Sequence, residues 1–233
     1  MNGGRLEYKF LVPTRYLDDF RSAIQPYMDN DPYGESPGSS EYTVRSIYYD
    51  TPRFSCYLEK LDGLEVRQKY RIRGYGRPNE KSLVFLEIKM KRGSMVGKHR
   101  APLLHTKLDA FLAKPDIERD IVTTRQIRHA RDGARRFMFY YYRYCLRPTV
   151  LVVYDREAFF GRFDPSLRIT FDKQLRGRPY PTLADLYRED GLAVSVPRHF
   201  VLELKFFRGA LPVWVSGIIR RYGLQRMSVS KYT

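Results

Sequence analysis

Apolar and charged residues alternate one for one along much of this 233-residue chain. Successive side chains of an extended strand point to opposite faces, so a period of two predicts strands with one apolar and one charged face. Over 5–12, Arg5, Glu7 and Lys9 oppose Leu6, Tyr8, Phe10 and Val12. Over 83–91, Phe85, Glu87, Lys89 and Lys91 oppose Val84, Leu86, Ile88 and Met90. Over 167–172, Arg168, Thr170 and Asp172 oppose Leu167, Ile169 and Phe171, and over 200–207 Glu203 and Lys205 oppose Leu202, Leu204 and Phe206. The most basic stretch is 64–73, where Arg67, Lys69, Arg71 and Arg73 share a face against Val66, Tyr70 and Ile72. β-Branched and aromatic runs predict further strands at 41–50 and 150–159, and 94–100 reads as a short strand carrying Lys98 and Arg100.

Helical spacing of Leu17, Phe20, Ile24 and Met28 predicts a helix after Pro13, with Thr14 as its N-cap. Residues 103–114 and 117–146 read as helices. The second is basic, with Arg119, Arg125, Arg128, Arg131, Arg135 and Arg136 on a solvated face and Tyr140–Tyr142 as helix packing. A short helix is expected at 183–189 and an amphipathic one at 211–222. Residues 29–40 are a loop by composition, and 53–62 a helical turn or strand leading to a hairpin at Asp62-Gly63. With no repeat and no long linker, the expectation is one domain, 1–233.

Two architectures fit these strands. In one, apolar faces form a core and charged faces meet water. In the other, the sheet closes into a barrel with the charges inside and the helices covering its apolar outside. The amphipathic helices, which need an apolar surface, and the carboxylates set repeatedly beside cations favour the second. The fold class expected is α+β: a closed antiparallel β-barrel of about eight strands forming a basic tunnel, with helices packed outside.

Charge narrows the partner. A net charge of +16 points to an anion: nucleic acid, phosphorylated small molecules, polyphosphate or an acidic membrane surface. A nucleic-acid face is expected to show exposed aromatics and few carboxylates, unlike these strands. Arginine forks and lysine point charges suit a chain of phosphates, and glutamate oxygens suit Mg²⁺ or Mn²⁺. Cys56 and Cys145 make no disulfide or metal framework and fit a reducing compartment. There is no apolar leader and no window long enough to span a membrane, so a cytoplasmic protein is expected. His99, His105, His129 and His199 are scattered and suggest no triad.

The ordered motifs E-Y-K at 7–9, I-Y-Y-D-T at 47–51, Y-R-I-R-G-Y-G at 70–76, L-E-I-K at 86–89, Y-D-R-E-A-F at 154–159, R-I-T-F-D at 168–172, L-E-L-K at 202–205 and S-V-S-K-Y at 228–232 carry a resemblance. The chain resembles the triphosphate tunnel metalloenzymes and, within them, the VTC (vacuolar transporter chaperone) polyphosphate polymerase domain. That resemblance implies phosphate-binding and catalytic roles for Arg71, Arg73, Lys89, Arg156 and Arg168. It implies substrate-binding roles for Lys9, Lys98, Ser230 and Lys231, with Arg100 competing for the place of Lys98, and a metal-binding role for Glu203. The chain carries Ser228 where well-known members have a lysine, and Arg5-x-Glu7-x-Lys9 where the hydrolytic branch has E-x-E-x-K. It is expected to be a stand-alone version without regulatory or membrane domains.

The resemblance implies transfer of the ATP γ-phosphate to a growing polyphosphate chain with Mn²⁺ or Mg²⁺, chemistry that needs positioning and electrostatics more than a protein nucleophile. The alternatives are a triphosphatase or nucleotide hydrolase on the same tunnel, a non-catalytic sensor of polyphosphate or inositol phosphates, and a nucleic-acid binder using 117–146. Glu7 and Glu87 are left between metal binding and pairing with Lys9 and Lys89. Asp50 and Asp155 read as structural, at strand ends.

Overall fold

The computed structural model describes residues 5–32, 41–93, 95–125, 127–207 and 211–232. The predicted loop at 29–40 lies outside the described residues from position 33 on, as do Ser94 and Gln126 of the elements predicted at 94–100 and 117–146. In chain order the first elements are β1 (Arg5–Pro13), α1 (Leu17–Ile24), β2 (Met28–Asn30), β3 (Glu41–Asp50), α2 (Ser55–Leu61), β4 (Val66–Tyr75), β5 (Leu83–Arg92) and β6 (Met95–Leu104). There follow α3 (Leu108–Ala113), α4 (Ile117–Asp120), α5 (Ala130–Arg143), β7 (Arg147–Gly161), β8 (Arg168–Pro179), β9 (Ala193–Val194), β10 (His199–Phe207) and α6 (Val213–Arg221). No helix among the described residues is long and apolar enough to cross a membrane.

The strands are hydrogen-bonded in the order β1-β10-β8-β7-β3-β4-β5-β6, with β2 added to β7 and β9 to β8. The expected α+β class with an antiparallel sheet holds, but the expected closed barrel does not. Among the described residues the path has two ends, and each end strand has its hydrogen-bonding edge met by local chain. Beside β1, the Lys9 carbonyl accepts from Met227 N at 2.9 Å. Beside β6, the Pro102 carbonyl accepts from Val122 N at 2.9 Å and Leu103 bridges Ile121. An edge met in this way offers fewer groups for closing a barrel.

The chain packs as two compact units: Met1–Thr43 with Tyr154–Arg176 and Val194–Lys231, and Val44–Val153 with Gly177–Ala193 and Tyr232–Thr233. In the first, the apolar sides of β1, β8 and β10 meet Phe20 and Ile24 of α1 and Val215 of α6 in one core with Phe10, Phe171 and Phe200. In the second, Ile47, Ile72, Leu86 and Ile88 pack with Phe111 of α3 and Ala134 and Phe137 of α5. The helices therefore cover the apolar sides, as the amphipathic patterns require. The charged sides are not ordinary wetted faces: Arg73, Glu87, Arg156, Asp172 and Glu203 are all buried.

Several local expectations change. Thr14 makes no side-chain cap; it opens a 3₁₀ turn ahead of α1, and Met28 belongs to β2. Asp29 and Asn30, expected in a loop, pair with Phe160 and Phe159. Residues 53–62 form α2, and Gly63, at φ +69°, ends that helix instead of turning a hairpin. Leu103 and Leu104 belong to β6 and not to a helix. The single helix expected over 117–146 is two, because Ile121 and Val122 leave the helical path to pair along β6.

Candidate functional site

In the first unit the registers of β1, β10 and β8 set Lys9 opposite Glu203 and Glu203 opposite Thr170, with Glu7 opposite Lys205 and Lys205 opposite Arg168. Only 4% of Glu203 is exposed. Its carboxylate pairs with Lys205, and Lys231 Nζ and Arg156 Nη2 stand 3.9 and 4.0 Å away. Asp172 accepts from Arg156 Nε and Nη2 at 2.6 and 2.8 Å, a bidentate fork, and also pairs with Lys231. Lys231 lies 4.4 Å over the Tyr154 ring. Lys9 stands 2.9 Å from Glu7 and donates to the Val229 carbonyl at 3.2 Å.

Burial by itself raises the Glu203 carboxyl; Lys205, Lys9, Lys231 and Arg156 overcome it and hold the group well below the usual carboxylate range. Burial opposes ionisation of Asp172 too, yet Arg156 and Lys231 bring it down to about 2. For Lys205, burial dominates and lowers its ammonium despite Glu203 and Glu7.

The second unit builds a different centre. Glu87 of β5 lies between Arg71 of β4 and Arg100 of β6 in register. Arg71 Nε and Nη2 reach Glu87 Oε2 at 2.7 and 2.6 Å. Lys98 Nζ and Arg100 Nε stand 2.7 and 3.1 Å from Oε1. Arg71 Nη1 donates to Tyr48 Oη at 3.0 Å, Arg73 Nε to Ser46 Oγ at 3.0 Å, and Arg100 Nη2 to Tyr75 Oη at 3.0 Å. The Arg100 guanidinium lies 3.5 Å over the Phe85 ring. Burial would raise Glu87, but Arg71, Arg73, Lys98 and Arg100 drive it well below its ordinary value. One step along the strands, Lys69, Lys89 and Lys98 stand directly opposite one another. Like charges so placed repel.

The predicted residues thus fall into two groups. Lys9, Arg156, Lys231 and Glu203 meet in the first unit; Arg71, Arg73, Lys89 and Lys98 share one face of the second. Arg168 stands at the margin of the first group, 3.0 Å from Asp31 and 3.2 Å from Tyr42 Oη. Ser230 lies in the tail between Val229, which accepts from Lys9, and Lys231. Lys98 and Arg100 do not compete: both reach Glu87. Glu7 pairs with Lys9. Asp50 accepts from the Cys56 and Tyr57 amides at the start of α2, and Asp155 pairs with Thr43 and Arg176. Both serve structure.

Sequence reasoning put Asp172 on a charged face without giving it a role and took Arg100 only as a rival of Lys98; it passed over Tyr48 and Ser46, whose uncharged side chains carried no signal. For a metal, no three His, Cys, Asp or Glu side chains gather among the described residues. A divalent cation would rest on Glu203 and on substrate oxygens, and Mg²⁺ is commonly held by one carboxylate, waters and phosphates. The donor set fits that arrangement.

The antiparallel sheet, backed by helices, thus buries two carboxylates, Glu203 and Glu87, each among four cations. The chain belongs to the VTC domain family, whose model matches residues 4–233. It is 28% identical over 155 residues to vacuolar transporter chaperone complex subunit 4 of Trypanosoma brucei brucei, covering 57% of this chain and 19% of that protein. It is 27% identical over 201 residues to the protein of that name from Trypanosoma cruzi, covering 74% of this chain and 25% of that protein. The chain therefore spans about a quarter or less of the length of these relatives. Among solved structures, the PH1819 protein from Pyrococcus horikoshii OT3 aligns with a TM-score of 0.46 at 13% identity, over 95% of this chain and 92% of that one.

Proposed function

We propose that this VTC-domain chain forms polyphosphate, moving the γ-phosphoryl group of ATP onto the end of a growing phosphate chain. The observation that carries this is the Glu87 centre: four cations converge on one buried carboxylate, with the arginine forks aimed by Tyr48, Ser46 and Tyr75. Such a centre concentrates positive charge on a partly buried face, and each charge-assisted hydrogen bond to a phosphate oxygen is worth about 1.5–3 kcal/mol.

In the proposed reaction an oxygen of the terminal acceptor phosphate attacks the γ-phosphorus. The bond to the β–γ bridging oxygen breaks, and ADP leaves with that electron pair. Arg71 and Arg73 bind the phosphoryl oxygens and neutralise the charge that spreads over them, with Lys89 and Lys98 beside them. Arg156 and Lys231 exchange Asp172 for phosphate oxygens, and Lys9 and Ser230 hold the chain near the tail. Arg168 orients it at the margin. Glu203 would hold Mn²⁺ or Mg²⁺, which would supply charge neutralisation when bound. No protein nucleophile is required. A cytoplasmic setting suits ATP as donor and leaves Cys56 and Cys145 reduced.

The test is incubation of the chain with ATP and Mn²⁺ or Mg²⁺, followed by measurement of ADP and of polyphosphate length. Long chains with matching ADP are expected. Phosphate or diphosphate without chain growth would replace polymerase by hydrolase. Tight polyphosphate binding with no turnover would leave a binding domain.

A further inference from the structure

Thr170 lies directly opposite Glu203 in the β8·β10 register, and Arg168 and Asp172 flank it on the same side of β8. Its neighbours Ile169 and Phe171 belong to the apolar core, so alternation turns Thr170 to the charged side. It is 1% exposed, and its Oγ1 has no hydrogen-bond partner. Packing does not ask for that hydroxyl. Valine has the same shape and suits a strand as well, whereas a buried hydroxyl left unpaired is destabilising. Across the strand pair, side chains stand about 4.5–5.5 Å apart at Cβ. The hydroxyl therefore sits within reach of anything bound at Glu203. Glu203 already has its cations, so what the hydroxyl lacks is an acceptor, and the surrounding Lys205, Arg156 and Lys231 would draw an anionic one.

We propose that Thr170 is a further ligand-contacting residue of the Glu203 centre, its hydroxyl donating to an oxygen of the bound phosphate chain. This rests on the phosphate-transfer function proposed above. It adds a neutral, short, directional donor to a centre otherwise made of flexible ammonium groups and one guanidinium. A hydroxyl at this place fixes which oxygen faces Glu203, and so the register of the chain along the strands.

The experiment is calorimetric titration of the full chain with tripolyphosphate, once in EDTA and once with Mn²⁺, for wild type, Thr170→Val and Thr170→Ser. Melting temperatures without ligand are measured alongside. Thr170→Val is expected to bind about tenfold more weakly in both arms, Thr170→Ser nearly as wild type, and Thr170→Val to melt no lower than wild type without ligand. Wild-type affinity in Thr170→Val would overturn the proposal and leave the phosphate function standing. A defect confined to the Mn²⁺ arm would overturn the phosphate contact in favour of the metal or its water. Failure of wild type to bind tripolyphosphate in either arm would remove the function and this contact together.

Discussion

Glu203 and Glu87 are both buried carboxylates ringed by four cations, but they keep different company. Around Glu203 the cations are Lys9, Lys205, Lys231 and Arg156, and two more carboxylates, Asp172 and Glu7, share them. Around Glu87 they are Arg71, Arg73, Arg100 and Lys98, with tyrosine hydroxyls, Ser46 and a phenyl ring in place of further acids. The first centre is close to neutral by its named groups and rich in hard oxygen donors. The second carries an excess of positive charge on planar, pre-aimed forks. Lysine is a hydrated point charge that rearranges readily, whereas an arginine held by rings and hydroxyls loses little freedom on binding. On the function proposed above, the grip on the transferring group would fall to the forks of the Glu87 centre and the metal to Glu203.

The largest expected effect tests the grip. Arg71→Ala and Arg73→Ala should each lower polyphosphate formation from ATP about 100-fold or more, and Arg71→Lys should restore only part. Full activity in Arg71→Ala would break the assignment of transfer to the Glu87 centre. Next is the charge imbalance. Glu87→Gln leaves four cations around a neutral amide and should cost about 3–5 kcal/mol in denaturant unfolding. Glu203→Gln should cost less, because Asp172 and Glu7 remain. Tripolyphosphate should raise the melting temperature of Glu87→Gln more than that of wild type. Equal losses in the two variants would remove the asymmetry.

Acid titration sharpens the other side of the comparison. Asp172 is held at about 2 in the folded chain against an ordinary 3.8. A depressed folded value gives stability that is present above 3.8 and lost as pH falls toward about 2. Glu203 and Glu87 are lowered in the same direction. Unfolding monitored by circular dichroism should therefore steepen below about pH 4, and Asp172→Asn should flatten that limb while destabilising the neutral state. An unchanged limb in Asp172→Asn would show that its pairing with Arg156 contributes little. The smallest effect is expected far from either centre. Arg135 of α5 pairs with Glu118 and Asp132, all exposed. Arg135→Ala should change stability by less than about 1 kcal/mol and leave tripolyphosphate affinity unaltered. A large loss of affinity would move the binding surface to the basic helix.

Much of this was written in the alternation of the strands. The charged faces of β1, β4, β5, β8 and β10, the apolar faces against α1, α5 and α6, and the candidates Arg71, Arg73, Glu203 and Lys231 all follow from a period of two and from ordered motifs. Helix boundaries were less legible where local pattern and long-range pairing disagreed. Ile121 and Val122 fit a helical period, yet they leave it because the edge of β6 offers hydrogen bonds. Tyr48 was hidden for a related reason, since an aromatic residue on a strand looks like core whichever way it points.

Composition and periodicity determine which side chains share a face, because that depends only on the backbone's own geometry. They do not determine which charge meets which. Register is a relation between strands: it sets Glu87 between Arg71 and Arg100 and Lys9 opposite Glu203. A one-residue slip would exchange every such partner. The ends of the sheet are likewise a matter of tertiary structure: chain around 227 and 122 meets the edges of β1 and β6.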